Sequence, residues 1–209
     1  MPVRKIAVLT SGGLDSSILI GLLLKTFDEI HPVYIRSGLV WEKAEIFWLK
    51  KYLKVLRQKK LMPLTILDMP FKDLDPKGWA VTGKKVPDAV SNDKEVYLPG
   101  RNLLLLSKAA TYCALHKIPK VALGTLSANP FPDATLKFFH DFSRTASLAL
   151  GFSFQIMAPF LRLKKNEVLK TGGDLPLHLS FSCLSPRRKK PCHRCNKCAE
   201  KERVLKNVV

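Results

Sequence analysis

Short apolar segments alternate along the chain with longer segments in which apolar residues recur every three or four positions. Four of the longer segments have helical spacing, and five of the short ones have the length and composition of strands. The predicted strands are 4–10, 31–36, 63–69, 119–125 and 152–159, and the predicted helices are 14–27, 41–57, 101–117 and 133–150. Alternating strands and helices predict an α/β fold, a parallel sheet with crossover helices on both faces.

One interval interrupts this alternation. Residues 70–98, PFKDLDPKGWAVTGKKVPDAVSNDKEVYL, show little periodicity of either kind. A loop of this length inside a compact domain is usually either functional or disordered. The sequence leaves both interpretations open.

Length and composition indicate the domain organisation. The 209 residues, 46% of them hydrophobic, can bury a full core, most simply as one domain with a small appendage. We expect an α/β domain over residues 1–178 and a small C-terminal segment over 179–209. No apolar run approaches the length that crosses a membrane, and the N-terminus MPVRKIAVLTSGG is not a signal peptide. The sequence therefore predicts a soluble, cytoplasmic protein without a membrane partner.

The chain is strongly basic, with a formal net charge of +18. Residues 187–209 alone hold nine Lys/Arg against two Asp/Glu. Polyanionic partners such as nucleic acid or nucleotides would suit this charge, and so would a solvated basic surface. The charge by itself fits both.

The stretch TSGGLDSS (10–17) directly follows the first predicted strand. Glycines allow a tight turn there, and Asp or Ser can cap the helix that follows. Such a turn also leaves several backbone N–H groups directed at one point, at the end of a parallel strand where α/β proteins bind ligands. It lacks the GK[ST] of a Walker A loop and is not G-x-G-x-x-G. From the residues alone, the stretch is either a capped turn or an anion-binding site.

Ser-Gly-Gly-x-Asp-Ser at a strand-to-helix turn resembles the pyrophosphate-binding loop of the ATP pyrophosphatase (PP-loop) superfamily. Members of that superfamily cleave ATP between the α- and β-phosphates and transfer AMP to a carbon–oxygen group. The resemblance implies a Rossmann-like fold of the adenine nucleotide alpha hydrolase type, with ATP and Mg(II) bound. It places around the phosphates the loop residues Ser11, Gly12, Gly13, Leu14, Asp15, Ser16 and Ser17.

Four of the five cysteines are concentrated near the C-terminus, in CLSPRRKKPCHRCNKC: Cys183, Cys192, Cys195 and Cys198. Four thiolates at this spacing suit tetrahedral Zn(II), and the surrounding Lys and Arg would offset the negative charge of such a site. No ligand position would stay open, so the zinc would be structural. An iron–sulfur cluster is the competing interpretation, and zinc is preferred because nothing else in the sequence suggests redox chemistry. We interpret His193 as a surface residue and Cys113 as a core residue.

A PP-loop combined with a C-terminal cysteine cluster resembles the 7-cyano-7-deazaguanine synthase family of the queuosine precursor pathway. Four further segments are similar to segments of that family, and together the matches span nearly the whole chain. They are LPGRNLLLLSKAA (98–110), ALGTLSANPFPDAT (122–135), APFLRLKKNEV (158–168) and FSCLSP (181–186).

The resemblance implies an ATP-dependent carbon–nitrogen ligase. ATP would adenylate the carboxylate of 7-carboxy-7-deazaguanine, and ammonia would displace AMP to give an amide. A second activation and loss of AMP would give the nitrile. The implied partners are ATP, ammonia and the small 7-deazapurine. Family members are often homodimers, so the resemblance also suggests that assembly.

This chemistry needs cations near the polyphosphate and the leaving group more than it needs a protein nucleophile. The catalytic candidates are Asp15, Arg101 and Lys165. The alternative interpretations are that Arg101 is only a helix N-terminal arginine and that Lys165 is an ordinary surface lysine. The substrate segment would hold Gly100, Arg101, Asn102 and Asp133. Asp133 either recognises a guanidine-like edge of the ligand or caps a helix that starts near Ala134.

Two stretches depart from the family pattern and concern the acceptor. YIRSGLVWEKAE (34–45) stands where the family has Tyr-Gly-Gln and a basic residue, and Ala134-Thr135 stands where it has Cys-Arg. The alternative function is therefore a PP-loop enzyme that adenylates a different substrate, such as a tRNA base, with the basic tail as RNA-binding surface. A third alternative is a non-enzymatic, zinc-containing nucleotide-binding or interaction module.

Overall fold

A five-stranded parallel sheet forms the centre of the protein. The computed structural model describes residues 3–206, so Met1, Pro2 and the last three residues of the predicted C-terminal segment lie outside the described part. The strands are β1 (Lys5–Leu9), β2 (Glu29–Arg36), β3 (Thr65–Asp68), β4 (Lys120–Ala122) and β5 (Gln155–Met157). Their order is β3-β2-β1-β4-β5, and every neighbouring pair is parallel. All five predicted strands are confirmed.

Seven α-helices lie in the described part of the chain. They are α1 (Leu14–Leu23), α2 (Glu42–Leu56), α3 (Trp79–Thr82), α4 (Arg101–Leu115), α5 (Leu136–Leu150), α6 (Lys165–Thr171) and α7 (Asn196–Lys206). The four predicted helices correspond to α1, α2, α4 and α5. The predicted start of the last of them, at residue 133, is wrong because Pro132–Ala134 form a separate 3-10 turn. Thr135 then caps α5 by accepting a hydrogen bond from the Phe138 backbone N–H.

Both faces of the sheet are covered, as predicted. In β1, Ile6 and Val8 are fully buried against a cluster that includes α1 and α6, whereas Ala7 between them is buried on the other face with α4 and α5. This alternation follows from the two-residue repeat of a strand. The chain leaves β1 toward β2 and later returns to β4 on its other side. Ligands of open α/β sheets bind at such a reversal, beyond the carboxyl ends of the strands.

The interval 70–98 is ordered and closes over that end of the sheet. It contains α3 and a 3-10 turn, Asp93–Val96, whose start is held by a capping box between Asn92 and Glu95. Trp79 of α3 stacks on Trp41 with ring centroids 5.6 Å apart. The interval is therefore not disordered, and its last residues contribute to the lining of the cavity described below. That it is functional stays a prediction.

The C-terminal segment packs against the α/β domain. The Phe181 N–H donates to the carbonyl of Gly12 (2.7 Å), and the Asn196 N–H donates to the carbonyl of Pro87 (3.0 Å). Three of the four clustered cysteines share a hydrophobic cluster with residues of α2, α3 and the 70–98 interval. The division at residue 178 stays a prediction about chain organisation. None of the helices within residues 3–206 combines the length and apolarity needed to cross a bilayer.

Candidate active site and metal centre

The turn between β1 and α1 forms an open backbone cradle. Gly12 has a φ of +78°, a conformation that side-chain-bearing residues rarely adopt, and a Cβ atom there would lie 3.1 Å from Cβ of Leu49. A Cβ atom on Gly13 would lie 3.1 Å from Oγ of Ser182 and 3.3 Å from Oγ of Ser11. Gly12 is therefore required by its backbone conformation, and a side chain at Gly13 would crowd the two serines.

Helix α1 begins directly after this cradle. Gly13 is its N-cap residue and makes no side-chain capping bond. The first N–H groups of a helix have no partner within the helix, and the helix dipole adds positive potential at the same end. The turn and the start of α1 together suit an anion such as a phosphate.

A cavity of about 420 Å³ opens at this turn. Its lining includes nine of the residues predicted for the site: Ser11, Gly13, Leu14, Asp15, Ser16, Arg101, Asn102, Asp133 and Lys165. The lining residues come from chain segments as distant as 9–16 and 197–200. The fold thus brings the proposed phosphate and substrate segments into one space.

Three predicted residues lie behind the cavity lining. Gly12 faces α2, and Ser17 is fully buried with its carbonyl accepting a 2.8 Å hydrogen bond from the Tyr52 hydroxyl. Gly100 has a φ of +69° and precedes α4, so it supports the position of Arg101 through the backbone. A direct ligand contact from any of the three stays a prediction.

A network of ion pairs crosses the cavity floor. Nζ of Lys165 lies 2.7 Å from Oδ2 of Asp15 and 3.2 Å from Oε1 of Glu200, and Nζ of Lys197 lies 2.7 Å from Oε2 of Glu200. Burial raises the pKa of Asp15, although Lys165 counteracts it. Burial lowers the pKa of Lys165, but the two carboxylates outweigh burial and the net pKa is raised. Lys165 is therefore held as a cation beside the cradle.

A second polar group lines the opposite part of the cavity. The Tyr34 hydroxyl donates a 2.7 Å hydrogen bond to Oε2 of Glu45, and both residues are buried. Burial raises the pKa of Glu45 to about 7, while the Tyr34 hydrogen bond and the charge of Arg101 act to lower it. Glu45 and Arg101 thus offer the cavity an acceptor and a donor in one place.

Asp133 holds the start of α4. Its Oδ2 accepts the backbone N–H of Asn102 (2.9 Å), and its carbonyl accepts the Asn102 side-chain amide (3.2 Å). The prediction that Asp133 caps a helix is therefore correct, but the predicted helix is wrong. Asp133 caps α4, which precedes it in the chain, rather than a helix starting near Ala134. This contact fixes Asn102 and the neighbouring Arg101 at the cavity wall.

Several buried polar atoms at this site have no partner. Within residues 3–206, five buried side-chain atoms lack a hydrogen bond: Thr10 Oγ1, Asp15 Oδ1, Ser17 Oγ, Arg101 Nε and Asn196 Oδ1. Three of their residues, Thr10, Asp15 and Arg101, line the cavity. Because an unpaired buried polar atom costs free energy, their concentration here indicates a site for a polar ligand.

The four clustered cysteines converge at the base of the C-terminal segment. Their sulfur atoms all lie within 4.8 Å of one another, and those of Cys192 and Cys198 are 3.9 Å apart. Zn–S bonds of about 2.3 Å in a tetrahedron separate sulfurs by about 3.8 Å, so the spacing fits a single ion. Backbone N–H groups of Leu184 and Cys192 point at the sulfurs of Cys195 and Cys183, an arrangement that suits thiolates. The cluster could therefore hold a metal such as zinc.

The interpretations of His193 as a surface residue and of Cys113 as a core residue are confirmed. His193 is exposed and contacts Glu202 (2.8 Å) rather than the cysteines. Cys113 is fully buried in the core, and burial raises its pKa to about 12.

Sequence reasoning missed four residues of the site: Tyr34, Glu45, Lys197 and Glu200. Tyr34 and Glu45 belong to the stretch YIRSGLVWEKAE, in which spacing alone did not show that their side chains meet. Lys197 lies between two of the clustered cysteines, and Glu200 follows the last of them. The cysteine pattern there indicated only a metal site. No local pattern could show that Glu200 reaches Lys165 and joins it to Lys197.

Glu45 should make the stability of the protein depend on pH. Its pKa is raised from 4.5 to about 7 on folding. Between these two pH values, the folded state therefore keeps a proton on Glu45 that the unfolded state has already released. This contribution to stability is complete below about pH 4.5 and is lost as pH rises through about 7. We expect Glu45→Gln to remove a pH-dependent difference of about 3 kcal/mol in the free energy of unfolding, measured by urea unfolding from pH 4 to 8. Equal pH slopes in the two proteins would contradict this prediction.

Comparison with known proteins gives a consistent result. The sequence model of the family described as "Queuosine biosynthesis protein QueC" matches residues 5–209. The chain is 32% identical over 211 residues to 7-cyano-7-deazaguanine synthase 1 of Desulfitobacterium hafniense (strain Y51), covering 98% of this chain and 93% of that protein. It is 29% identical over 215 residues to 7-cyano-7-deazaguanine synthase of Leptospira biflexa serovar Patoc, covering 91% and 86%.

Solved structures support the fold. The U34-tRNA thiolase NcsA of Methanococcus maripaludis, with its [4Fe-4S] cluster, aligns with a TM-score of 0.54 at 15% identity and covers 100% of this chain and 67% of that one. A predicted tRNA methyltransferase subunit of Methanocaldococcus jannaschii aligns with a TM-score of 0.53 at 15% identity, covering 82% and 75%. At this identity the likeness concerns the fold alone, and it confirms the Rossmann-like arrangement predicted for this chain.

Proposed function

The chain belongs to the QueC family of queuosine biosynthesis proteins, and we propose that it is an ATP-dependent ligase that makes 7-cyano-7-deazaguanine from 7-carboxy-7-deazaguanine and ammonia. The family match supports the pathway and an enzyme of the synthase type. The observation that best supports this reaction is the cavity. The glycine cradle, Lys165 and Arg101 meet there, beside unpaired buried polar atoms. We expect that space to receive both the nucleotide and the small acceptor.

ATP would place its β- and γ-phosphates on the cradle and the N-terminus of α1. Lys165 would neutralise the phosphates and stabilise pyrophosphate as it leaves, because charge develops there in the transition state. Mg(II) bound with ATP would further neutralise the polyphosphate, and the unpaired Oδ1 of Asp15 is an oxygen ligand of the kind that this ion prefers. Asp15 also orients Lys165 through their 2.7 Å contact.

The acceptor would lie on the side of Arg101 and Glu45. A 7-deazaguanine ring presents a ring N–H and an amino group on one edge, and a carboxylate such as that of Glu45 can accept both. Arg101, whose Nε has no partner, would attract the acceptor carboxylate or the adenylate phosphate. Asp133 and Asn102 would support Arg101 at the start of α4.

The reaction proceeds in two similar stages. In the first, a carboxylate oxygen attacks the α-phosphorus of ATP and pyrophosphate leaves; ammonia then adds to the acyl carbon, AMP leaves and a proton is released, giving the amide. In the second, the amide oxygen is adenylated in the same way, and loss of AMP and the remaining amide protons gives the nitrile. The protein binds, orients and neutralises charge in both stages, which is consistent with a cavity whose described lining contains three cations, Arg101, Lys165 and Lys197, together with carboxylates and other hydrogen-bonding groups.

A tRNA base is the alternative acceptor. Residues 187–209 carry nine Lys/Arg, and two proteins of similar fold have names that refer to tRNA. Sulfur-transfer chemistry generally needs a cysteine pair or cluster near the active site. Cys113 is buried in the core. Cys183 lines the cavity, but all four clustered cysteines would be ligands of the structural ion, so this alternative ranks second.

A product assay tests the proposal. Purified protein with ATP, Mg(II), ammonium and 7-carboxy-7-deazaguanine should give the nitrile by mass spectrometry and AMP by nucleotide analysis. Both products should be lost in Asp15→Ala, because this change removes the partner that orients Lys165. If AMP forms without nitrile, the protein is still an adenylating enzyme, but its acceptor is a different molecule. Neither product from folded, metal-replete protein would refute the proposed substrate.

A further inference from the structure

We infer that helix α7, which starts inside the four-cysteine cluster, completes the binding site for the pyrophosphate part of ATP through Lys197, with Glu200 as its positioning residue. This inference deepens the proposed function and rests on it. It concerns two residues that the PP-loop resemblance does not include, and it connects the metal centre directly with the nucleotide.

Helix α7 starts inside the cysteine cluster. The helix begins at Asn196, between the second and third cysteines of the C-x-x-C-x-x-C run. Lys197 and Glu200 are three residues apart, on one face of the helix, and both line the cavity that also contains Asp15 and Lys165. The turn that holds the metal therefore sets the position of two charged side chains at the phosphate end of the cavity.

The start of α7 is also fixed from the other side. The Asn196 side-chain amide donates to the carbonyl of Ser91 (2.9 Å) and contacts Oδ1 of Asp93 (3.3 Å), and its backbone N–H donates to the carbonyl of Pro87. Asn196 is 2% exposed. Lys197 consequently projects from a backbone that is anchored both by the cysteine cluster and by the ordered 70–98 interval.

The charges explain how such a site would work. Without nucleotide, Lys165 and Lys197 are neutralised by Asp15 and Glu200, all within 3.2 Å of a partner. Both lysines are partly exposed, at 19% and 32% of their side chains, so they can turn toward an incoming anion. An ammonium group has three N–H donors, so phosphate oxygens would join Glu200 as partners of the lysines, in contacts between ions of opposite charge. Glu200 holds the two cations side by side at this position.

Binding of inorganic pyrophosphate with Mg(II), measured by calorimetry on metal-replete protein, tests this inference without any acceptor. Lys197→Ala should weaken pyrophosphate binding about tenfold and raise KM for ATP by a similar factor, as expected for loss of one charge-assisted contact. Lys197→Arg should restore most of the binding. Arg203→Ala removes a cation from an exposed position of the same helix and should change neither value.

The outcomes separate this inference from the proposed function. If native protein binds pyrophosphate and Lys197→Ala binds it as tightly as Arg203→Ala does, the inference is wrong and the ATP-dependent reaction is unaffected. If the product assay fails while pyrophosphate binding still depends on Lys197, the acceptor is wrong and the inference holds. Metal content and melting temperature, measured for each variant, show that an effect of Lys197→Ala is not loss of the metal centre.

Discussion

Lys165→Met is expected to lower the rate of AMP formation by about 10²–10³-fold, the size of effect that follows removal of one preorganised charge-stabilising group. Lys165 is the cation nearest the cradle, 2.7 Å from Asp15 and 3.2 Å from Glu200. The methionine keeps the apolar stem and removes only the charge. The measurement is steady-state AMP formation at saturating ATP, with Lys164→Met as the matched control because Lys164 is the exposed neighbour.

A second variant separates catalysis from stability. Lys165→Met leaves the partly buried Asp15 carboxylate without its cation, so the variant should melt at lower temperature than the native protein. Adding Asp15→Asn removes that unpaired charge and should recover much of the melting temperature without recovering activity. Activity in the double variant near the native level, or in Lys165→Met near that of Lys164→Met, would contradict a role for Lys165 in the reaction.

The parts of the fold that could be predicted are those encoded locally. The short apolar run RKIAVLT (4–10) predicted β1, and the same logic predicted the other four strands, although β4 and β5 are only three residues long. Helices α3 and α6 have four and seven residues, too short for a periodic pattern. Their stability comes from packing, as in the stack of Trp79 on Trp41, which sequence spacing does not show.

The same distinction applies to the candidate site: its locally encoded parts could be predicted, and its long-range contacts could not. The glycine cradle and the cysteine cluster each lie within a few residues of sequence, so backbone and ligand requirements made them visible. Glu45 meets Tyr34 eleven positions away, and Lys165 meets Asp15 across 150 positions. The resemblance to a known family placed Lys165 at the site, but it gave no such guide to Glu45, Lys197 or Glu200. Charged residues on a helix are usually solvated, and only the tertiary fold shows that these reach the cavity.

Cys195→Ser is expected to abolish metal binding and to lower the melting temperature by about 10 °C or more, as loss of several kcal/mol would in a domain of this size. Cys195 is 3% exposed and belongs to the hydrophobic cluster that joins the C-terminal segment to α2 and the 70–98 interval. Without the ion, the three remaining thiols, which lie within 4.8 Å of one another, lose the bonds that hold them. AMP formation should fall with the metal, because Lys197 and Glu200 lie on the helix that starts at this cluster.

Metal analysis, thermal unfolding and AMP formation, made on the same preparations, test this expectation. Cys113→Ala is the matched control: it removes a buried cysteine outside the cluster, so it should keep the metal and most of the activity. Zinc without visible absorbance would support the structural ion, whereas iron with visible absorbance would establish the iron–sulfur alternative. If Cys195→Ser retained both the melting temperature and the rate of AMP formation, the cluster would have no part in holding α7 at the cavity. Loss of both, with Cys113→Ala unaffected, would mean that the metal centre is a structural element of the active site, because the residues that it fixes are those that face the phosphates.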